Sequence, residues 1–563
     1  MKRTVGIGIQ DYTKLIERNL FYIDKTYFIR DWWESNDEVT LITRPRRFGK
    51  TLTLRMAEAF FSTKFENRAD LFQNQQIWQY EQYRKVQGTW PVLFLSFAGV
   101  KDNCYKDARY RINLSIYNLY QNYRWLLETD QFSEEDRRLF ASVTPNMDES
   151  VAASSLSVLC GWLKNYYGKS CIILMDEYDT PMHEAFVFGY WDKITSLMRN
   201  LFNNTFKTNP ALERALLTGI TRVSRESLFS DLNNLEIVTT TSDKYSSVFG
   251  FTEAEVFAAM EEQGLTDFDS VKSWYDGFTF GTLQDIYNPW SITNYLDKRV
   301  VGIYWANTSS NQLAGKLIRE GSTDLKKDFE TLLQGGSIRT VIDEEIVYDQ
   351  LTGSPYAVWS LLLAAGYLKV VQLEQINDGI GDETVYTLRL TNREVRLSFR
   401  HMVSRWFDAA ADSYNQFIRA LLCNDLDAMN QYMNRVALQT FSYFDTGNQS
   451  TEAEPERFYH GFVLGLLVDL ADRYVLKSNR ESGFGRYDIL LKPRDPAQML
   501  PACIIEFKVH NPRKEQTLQD TVAAAHTQIR DMRYAEELLD EGISRTQIHC
   551  YGFAFKGKQV LIG

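Results

Sequence analysis

The sequence predicts an α/β protein in three parts: a parallel sheet built around a phosphate-binding loop, a mainly helical, winged-helix-like middle region, and a small C-terminal α/β domain. Three observations carry this. Apolar runs alternate with amphipathic stretches through the first 290 residues. The octet RPRRFGKT stands between a strand-like and a helix-like run. The turn-rich stretch DTGNQSTEAEPE then sets the C-terminal segment apart. The expected boundaries are 1–290, 291–445 and 446–563.

Taken in order, the strands are VTLITRP, PVLFLSFAG, CIILMDEYD and ALLTGITR, each followed by a plausible helix, which points to a sheet covered on both faces. YKDARYRINLSIYNLYQNYRWLL has helical spacing of Tyr, Ile and Leu, and reads as a core face with a basic outer side. In the middle region WSLLLAAGYLKVV precedes the strand-like TVYTLRLTN. After the linker come a helix, RFYHGFVLGLLVDLADRYVL, strands RYDILLKP and CIIEFKV, a helix through Ile529, and the hairpin-like YGFAFKGKQVLI.

Composition bounds the function. At 563 residues the chain has room for about three domains of roughly 100–200 residues. Hydrophobic content of 44% and charged content of 24% exclude disorder as the main state, and the 14% aromatic share fills cores. The net charge of −11 argues against a surface coated with nucleic acid, while leaving a local basic groove open. Six Cys without a CxxC pair and six His without HExxH argue against a disulfide framework or a Cys-type zinc site. No apolar run reaches the ~18–20 residues of a membrane span. The N-terminus has no signal-peptide core, so a cytoplasmic protein without a membrane partner is expected.

A phosphate loop needs inward backbone N–H groups, a Lys for the terminal phosphates and a hydroxyl for Mg²⁺. Gly49, Lys50 and Thr51 supply these in a strand–loop–helix setting, although Arg44 stands where the standard pattern has its first Gly. CIILMDEYD reads as a buried strand with Asp176 and Glu177 at its C-terminal tip, the edge where parallel sheets bind ligands. Asp176, with Thr51, is expected to hold Mg²⁺, and Glu177 to polarise an attacking water. ALLTGITRVSR places Thr218, Thr221, Arg222 and Arg225 at another strand end, where a polar residue senses the γ-phosphate and an Arg neutralises transition-state charge. The expected nucleotide set is therefore Arg44, Arg47, Gly49, Lys50, Thr51, Asp176, Thr218 and Arg222. His183, just beyond, either approaches the nucleotide or serves as a cap.

These residues resemble the bacterial AAA-ATPase-like proteins that also carry a PD-(D/E)XK nuclease domain. The resemblance covers nearly the whole chain: YIDKT (Tyr22 to Thr26), LITRPRRFGKT, MDEYDTP, WYDGF, YNPWSI and LTNREV (Leu390 to Val395). It implies a P-loop NTPase with an extra strand between the two nucleotide motifs, and makes the arginine-bearing loop the family's usual form. Trp274 to Phe278 and the YNPWSI run read as aromatic packing around turns, with no chemical role assigned.

Phosphodiester cleavage with Mg²⁺ needs carboxylates for the metal and a Lys near the scissile phosphate. Glu506 and Lys508 lie two apart on a strand, hence on one face, with Phe507 facing the core. Asp488, beginning the preceding strand, converges on the same metal as Glu506. This D…ExK arrangement resembles the PD-(D/E)XK, restriction-endonuclease-like superfamily, with Gln528 and Tyr534 as its QxxxxxY extension. Glu481, Arg486 and His510 are further candidates at this site. The expected function is an ATP-binding, ATP-hydrolysing protein that controls a Mg²⁺-dependent nuclease acting on nucleic acid, with DNA the expected substrate and a homo-oligomer left open. The alternative is a nucleotide-dependent switch or scaffold whose C-terminal domain binds nucleic acid or protein without cutting.

Overall fold

The computed structural model describes residues 2–222, 228–229, 232–305, 317–318, 323–343, 355–377, 382–405, 411–441, 463, 467, 470, 473–482, 485–495, 500–556 and 559–563. The expected linker, most of the helix after it and Arg225 lie outside the described residues, as do the side chains of Glu481 and Arg486. The chain forms two compact units, one of residues 1–317 and 335–396, the other of 318–334 and 397–563.

The first unit is built on a five-stranded sheet: β1 (Val39–Thr43), β2 (Val92–Ser96), β3 (Cys171–Asp176), β4 (Leu212–Gly219) and β5 (Leu235–Val238), in the order β2-β3-β4-β1-β5. All its pairings are parallel. β1 and β3 are buried at every residue, as expected of strands covered on both faces. β4 lies between them, so the phosphate-loop strand and the Asp176 strand are separated by one intervening strand. Thr43 pairs with Gly219 and Met175 with Leu217, which brings the ends of β1, β3 and β4 to one edge. The 105–121 helix buries Ala108, Ile112, Ile116, Leu119 and Tyr120, the core face expected of it.

Two smaller antiparallel sheets complete this unit. β6 (Phe251–Thr252), β7 (Phe278–Phe280) and β8 (Leu283–Tyr287) run in the order β6-β8-β7. β9 (Ile338–Val341), β10 (Leu368–Asn377) and β11 (Asp382–Leu390) run β10-β11-β9, with the helix Pro355–Ala364 before the hairpin. The expected boundary at 290 falls inside this unit, because residues 391–394 bond back onto 275–305: Asn392 Nδ2 donates to the Tyr275 carbonyl and Ser291 Oγ to Glu394. Segment 318–334 belongs instead to the second unit, where Phe329 packs on Phe399 and Gln334 Nε2 donates to the Leu476 carbonyl.

The WYDGF turn holds a charge conflict between the half-buried Asp276 and the exposed Asp285. Burial first, and then the facing Asp285 carboxylate, push the Asp276 carboxyl up to about 6, although Lys272 lies 3.9 Å from each acid. A carboxyl raised in the folded state stabilises the fold fully below its unfolded value near 3.8, and that contribution is lost as pH rises through 6. Asp276→Asn, which mimics the protonated form, should therefore flatten the decline of melting temperature between about pH 4 and pH 7, measured by scanning calorimetry. An unchanged pH profile would contradict the assignment.

The second unit contains β12 (Tyr474–Ser482), β13 (Gly485–Pro493), β14 (Ala502–Val509), β15 (Ile548–Lys556) and β16 (Gln559–Ile562), in that order. Only β14 and β15 run parallel, pairing Glu506 with Gly552; the last two strands form the expected hairpin. Phe507 enters the core and meets Phe553 and Phe555. The helix Leu518–Asp531 packs against β15 where Gly552 leaves room: a Cβ there would meet the Ala525 Cβ at 2.9 Å.

Candidate functional site

The N-terminal site grows from β1, the loop 44–49 and the helix Lys50–Phe61. Gly49 takes φ +84° and Arg47 φ +65°, the left-handed turns that coil the loop back before the helix starts. Lys50 Nζ is buried and donates to the Arg44 and Pro45 carbonyls, each at 2.8 Å. Burial lowers the Lys50 ammonium, while Glu177, Asp179 and Asp176 hold it up. Thr51 Oγ1 donates to Asp176 Oδ2 and Thr218 Oγ1 to Asp176 Oδ1, both at 2.8 Å. The ends of β3 and β4 and the start of the helix Lys50–Phe61 thus converge on one carboxylate. Burial raises the Asp176 carboxyl, a cost that a divalent cation offsets, and the adjoining hydroxyl and carboxylate are the hard oxygen donors Mg²⁺ takes.

MDEYDTP also fixes the loop after β4. Asp179 Oδ2 accepts from the Ile220 and Thr221 N–H groups, each at 2.9 Å, and from Thr221 Oγ1 at 3.0 Å. Tyr178 donates from its hydroxyl to the Thr221 carbonyl at 2.8 Å. Gly219 permits this closeness, since a Cβ there would lie 2.6 Å from the Tyr178 ring. Glu177 itself sits at φ +50°, and Thr180 Oγ1 donates to its Oε2 at 3.3 Å. Arg222 lines a small cleft with Thr43, Thr239, Asp343 and Ser360.

The loop's three arginines part company. Arg44 is fully buried: its guanidinium donates to the carbonyls of Thr43 and Thr239 and covers the Phe280 ring at 4.5 Å. It props the loop rather than facing a ligand, and burial pushes it down to about 9. Arg47 is exposed and lies 4.3 Å over the Trp290 ring. Arg46, which the sequence did not single out, has its charge felt by Lys50, His183 and Glu184. Burial, then Arg46, brings the His183 imidazole down to about 4, so it is neutral at physiological pH.

The aromatic motifs prove to be the loop's outer wall. Phe48 packs edge-on against Phe278 and Phe280, and Gly250 leaves it room. The Arg46 carbonyl accepts from Trp305 Nε1 at 2.9 Å and Asn288 Nδ2 at 3.4 Å. Glu394 of LTNREV, buried, accepts from the Tyr304 and Trp305 N–H groups at 2.6 Å and from Ser291 Oγ at 2.8 Å. Gly366 lies against Pro45. Sequence reasoning had no signal for this wall, because its members act across 242 or more residues on the loop carbonyl at Arg46.

In the second unit the expected carboxylates and lysine come together. Asp488 Oδ2 accepts from the Phe507 N–H at 2.8 Å, which ties β13 to β14 beside Glu506. Glu506 is 3% exposed, and its Oε1 accepts from Gln528 Nε2. Lys508 Nζ donates to Gln528 Oε1 at 2.6 Å and lies 3.9 Å from Glu506 Oε1. Gln528 therefore bridges the acid and the base of the ExK pair, with the Tyr534 hydroxyl 3.4 Å from its amide. Burial raises the Asp488 carboxyl, opposed by the Phe507 N–H and Lys508. Asp488, half-buried, and Glu506, buried, sit on adjacent strands and supply oxygen donors of the kind Mg²⁺ takes; no group of three or more His, Cys, Asp or Glu side chains suited to a metal occurs among the described residues. His510, next on the same strand face, turns to Thr521 and Glu515.

No helix among the described residues is long and apolar enough to cross a membrane. Residues 6–229 match a family model described as a predicted AAA-ATPase, of the AAA-ATPase-like type, and residues 454–563 match the PD-(D/E)XK nuclease superfamily. Over 440 residues the chain is 28% identical to an uncharacterized protein in the vnfD 5′ region of Azotobacter chroococcum mcd 1, covering 76% of each chain.

Proposed function

We infer, from a chain that carries an AAA-ATPase-like domain and a PD-(D/E)XK nuclease superfamily domain, that ATP held at the N-terminal loop controls a Mg²⁺-dependent nuclease acting on DNA. The observation that carries the hydrolytic half is Gln528 held between Glu506 and Lys508. Asp488 and Glu506 hold the metal there, and Lys508, aimed by Gln528, places positive charge where the scissile phosphate gains negative charge. At the other site Lys50 exchanges two loop carbonyls for phosphate oxygens, Thr51 and Asp176 hold Mg²⁺, and Glu177 orients the attacking water. Mg²⁺ at either site supplies Lewis-acid neutralisation of phosphate oxygens. Of the three loop arginines, Arg46 is the one assigned to the terminal phosphate, since Arg44 is turned into the protein and Arg47 onto Trp290.

Incubating the full chain with DNA and Mg²⁺, with and without ATP, tests the reading. Cleavage that responds to ATP, and loses that response in Lys50→Ala, supports it. Cleavage indifferent to both overturns the control, and DNA bound but never cut favours the scaffold. Arg46→Ala should weaken ATP binding about tenfold more than ADP binding, while Arg47→Ala leaves both affinities near wild type, as titrated with a fluorescent nucleotide. Equal losses for the two nucleotides in Arg46→Ala would remove its assignment to the terminal phosphate.

A further inference from the structure

His510 follows Lys508 by two positions and is buried, yet it touches neither Glu506 nor Lys508 in any described hydrogen bond. Its backbone is fixed by the sheet, the N–H donating to the Phe555 carbonyl at 2.8 Å. Its Nδ1 lies 3.1 Å from Thr521 Oγ1 and 3.5 Å from Glu515 Oε2. Thr521 Oγ1 gives its single hydrogen to Glu515 Oε2 at 2.7 Å, so it accepts from the imidazole, which must carry its proton on Nδ1. Thr521 is in the first turn of the helix Leu518–Asp531, whose start is set by a Thr517–Asp520 capping box. Ala525 and Gln528 follow Thr521 at four and seven residues, on the same helix face. That face is the one Gly552 lets come close to the sheet.

Resting on the nuclease reading above, we propose that His510 is a positioning residue: through Thr521 it seats this helix so that Gln528, two turns on, reaches both Glu506 and Lys508. The helix is held at two points along β14 and its continuation, His510 with Thr521 at one and the Glu506–Lys508 pair with Gln528 at the other. Removing the first lets the helix start pivot, and the bridge at the second opens. The role needs an N–H at the Nδ1 position and no proton transfer, so Asn, whose side-chain amide falls near Nδ1, replaces His while Ala does not.

The test combines crystal structures of the full-length variants with Mg²⁺-dependent DNA cleavage. His510→Ala and Thr521→Val should show Gln528 withdrawn from Glu506 and Lys508, and kcat about 10–100-fold lower at near-constant KM, the range of lost supporting contacts around a metal site. His510→Asn should restore both. A bridged Gln528 in His510→Ala, or His510→Asn failing as deeply as His510→Ala, overturns the proposal. Should the wild type not cut DNA at all, the nuclease reading falls, whereas the position of Gln528 in the variant crystals still decides the role of His510. If His510→Ala does not fold, Thr521→Val carries the same comparison.

Discussion

Lys508→Met should lower the rate of DNA cleavage by about 10²–10³-fold or more, the cost of removing one preorganised charge aimed at a developing anion. Met keeps the apolar stem and so the packing of β14, but removes the ammonium that Gln528 Oε1 receives at 2.6 Å. Glu506→Gln should be at least as severe. The amide oxygen still accepts from Gln528 Nε2, so the fold tolerates the change, while the carboxylate charge that would hold the metal is gone. Both variants should melt within a few degrees of wild type and bind ATP normally, as followed by cleavage gels, calorimetry and nucleotide titration. Full cleavage by either would remove the catalytic assignment. Retained cleavage in both would move the reaction away from β14 altogether.

What the sequence made legible was local. A strand, a loop and a helix in succession announce a phosphate site, because those positions lie within about a dozen residues of one another and each has a period or turn signal. Glu506 and Lys508 were legible for the same reason: alternation along a strand puts them on one face. The extra strand between the two nucleotide motifs followed from the resemblance, and β4 does separate β1 from β3. What stayed hidden depends on contacts distant in sequence. RPRRFGKT does not reveal that Arg44 turns inward against the Thr239 carbonyl, 195 residues away. The sequence placed Arg47 in the nucleotide set and passed over Arg46, because nothing local shows that Arg47 lies over the Trp290 ring. Nor does periodicity show that 318–334 leaves the first unit while 335–396 returns to it, since chain order says nothing of which core a helix joins.

Glu394→Ala should cost the N-terminal unit both stability and nucleotide affinity, although Glu394 lies far from the phosphate loop in sequence. Its carboxylate takes the Tyr304 and Trp305 N–H groups on one oxygen and the Ser291 hydroxyl on the other. Truncation leaves donors stranded, each unmade bond at a buried site costing about 1–3 kcal/mol. The damage travels one step further. Trp305 Nε1 is the donor 2.9 Å from the Arg46 carbonyl, and Asn288, which supports the same carbonyl, caps the helix carrying Ser291. A loop with Arg44 in place of its first glycine relies on this outer wall for its shape, so losing the clamp should weaken ATP binding about tenfold or more, equivalent to roughly 1.4 kcal/mol. Glu394→Gln separates shape from charge: its amide oxygen still serves the two N–H groups and its NH₂ faces Ser291 Oγ, so affinity should stay within about threefold of wild type. The measurement is nucleotide titration at a temperature where each variant remains folded by circular dichroism. Wild-type ATP affinity in a destabilised but folded Glu394→Ala protein would reduce the clamp to a packing feature, and the arginine loop would have to keep its shape from Phe48, Pro45 and Arg44 alone.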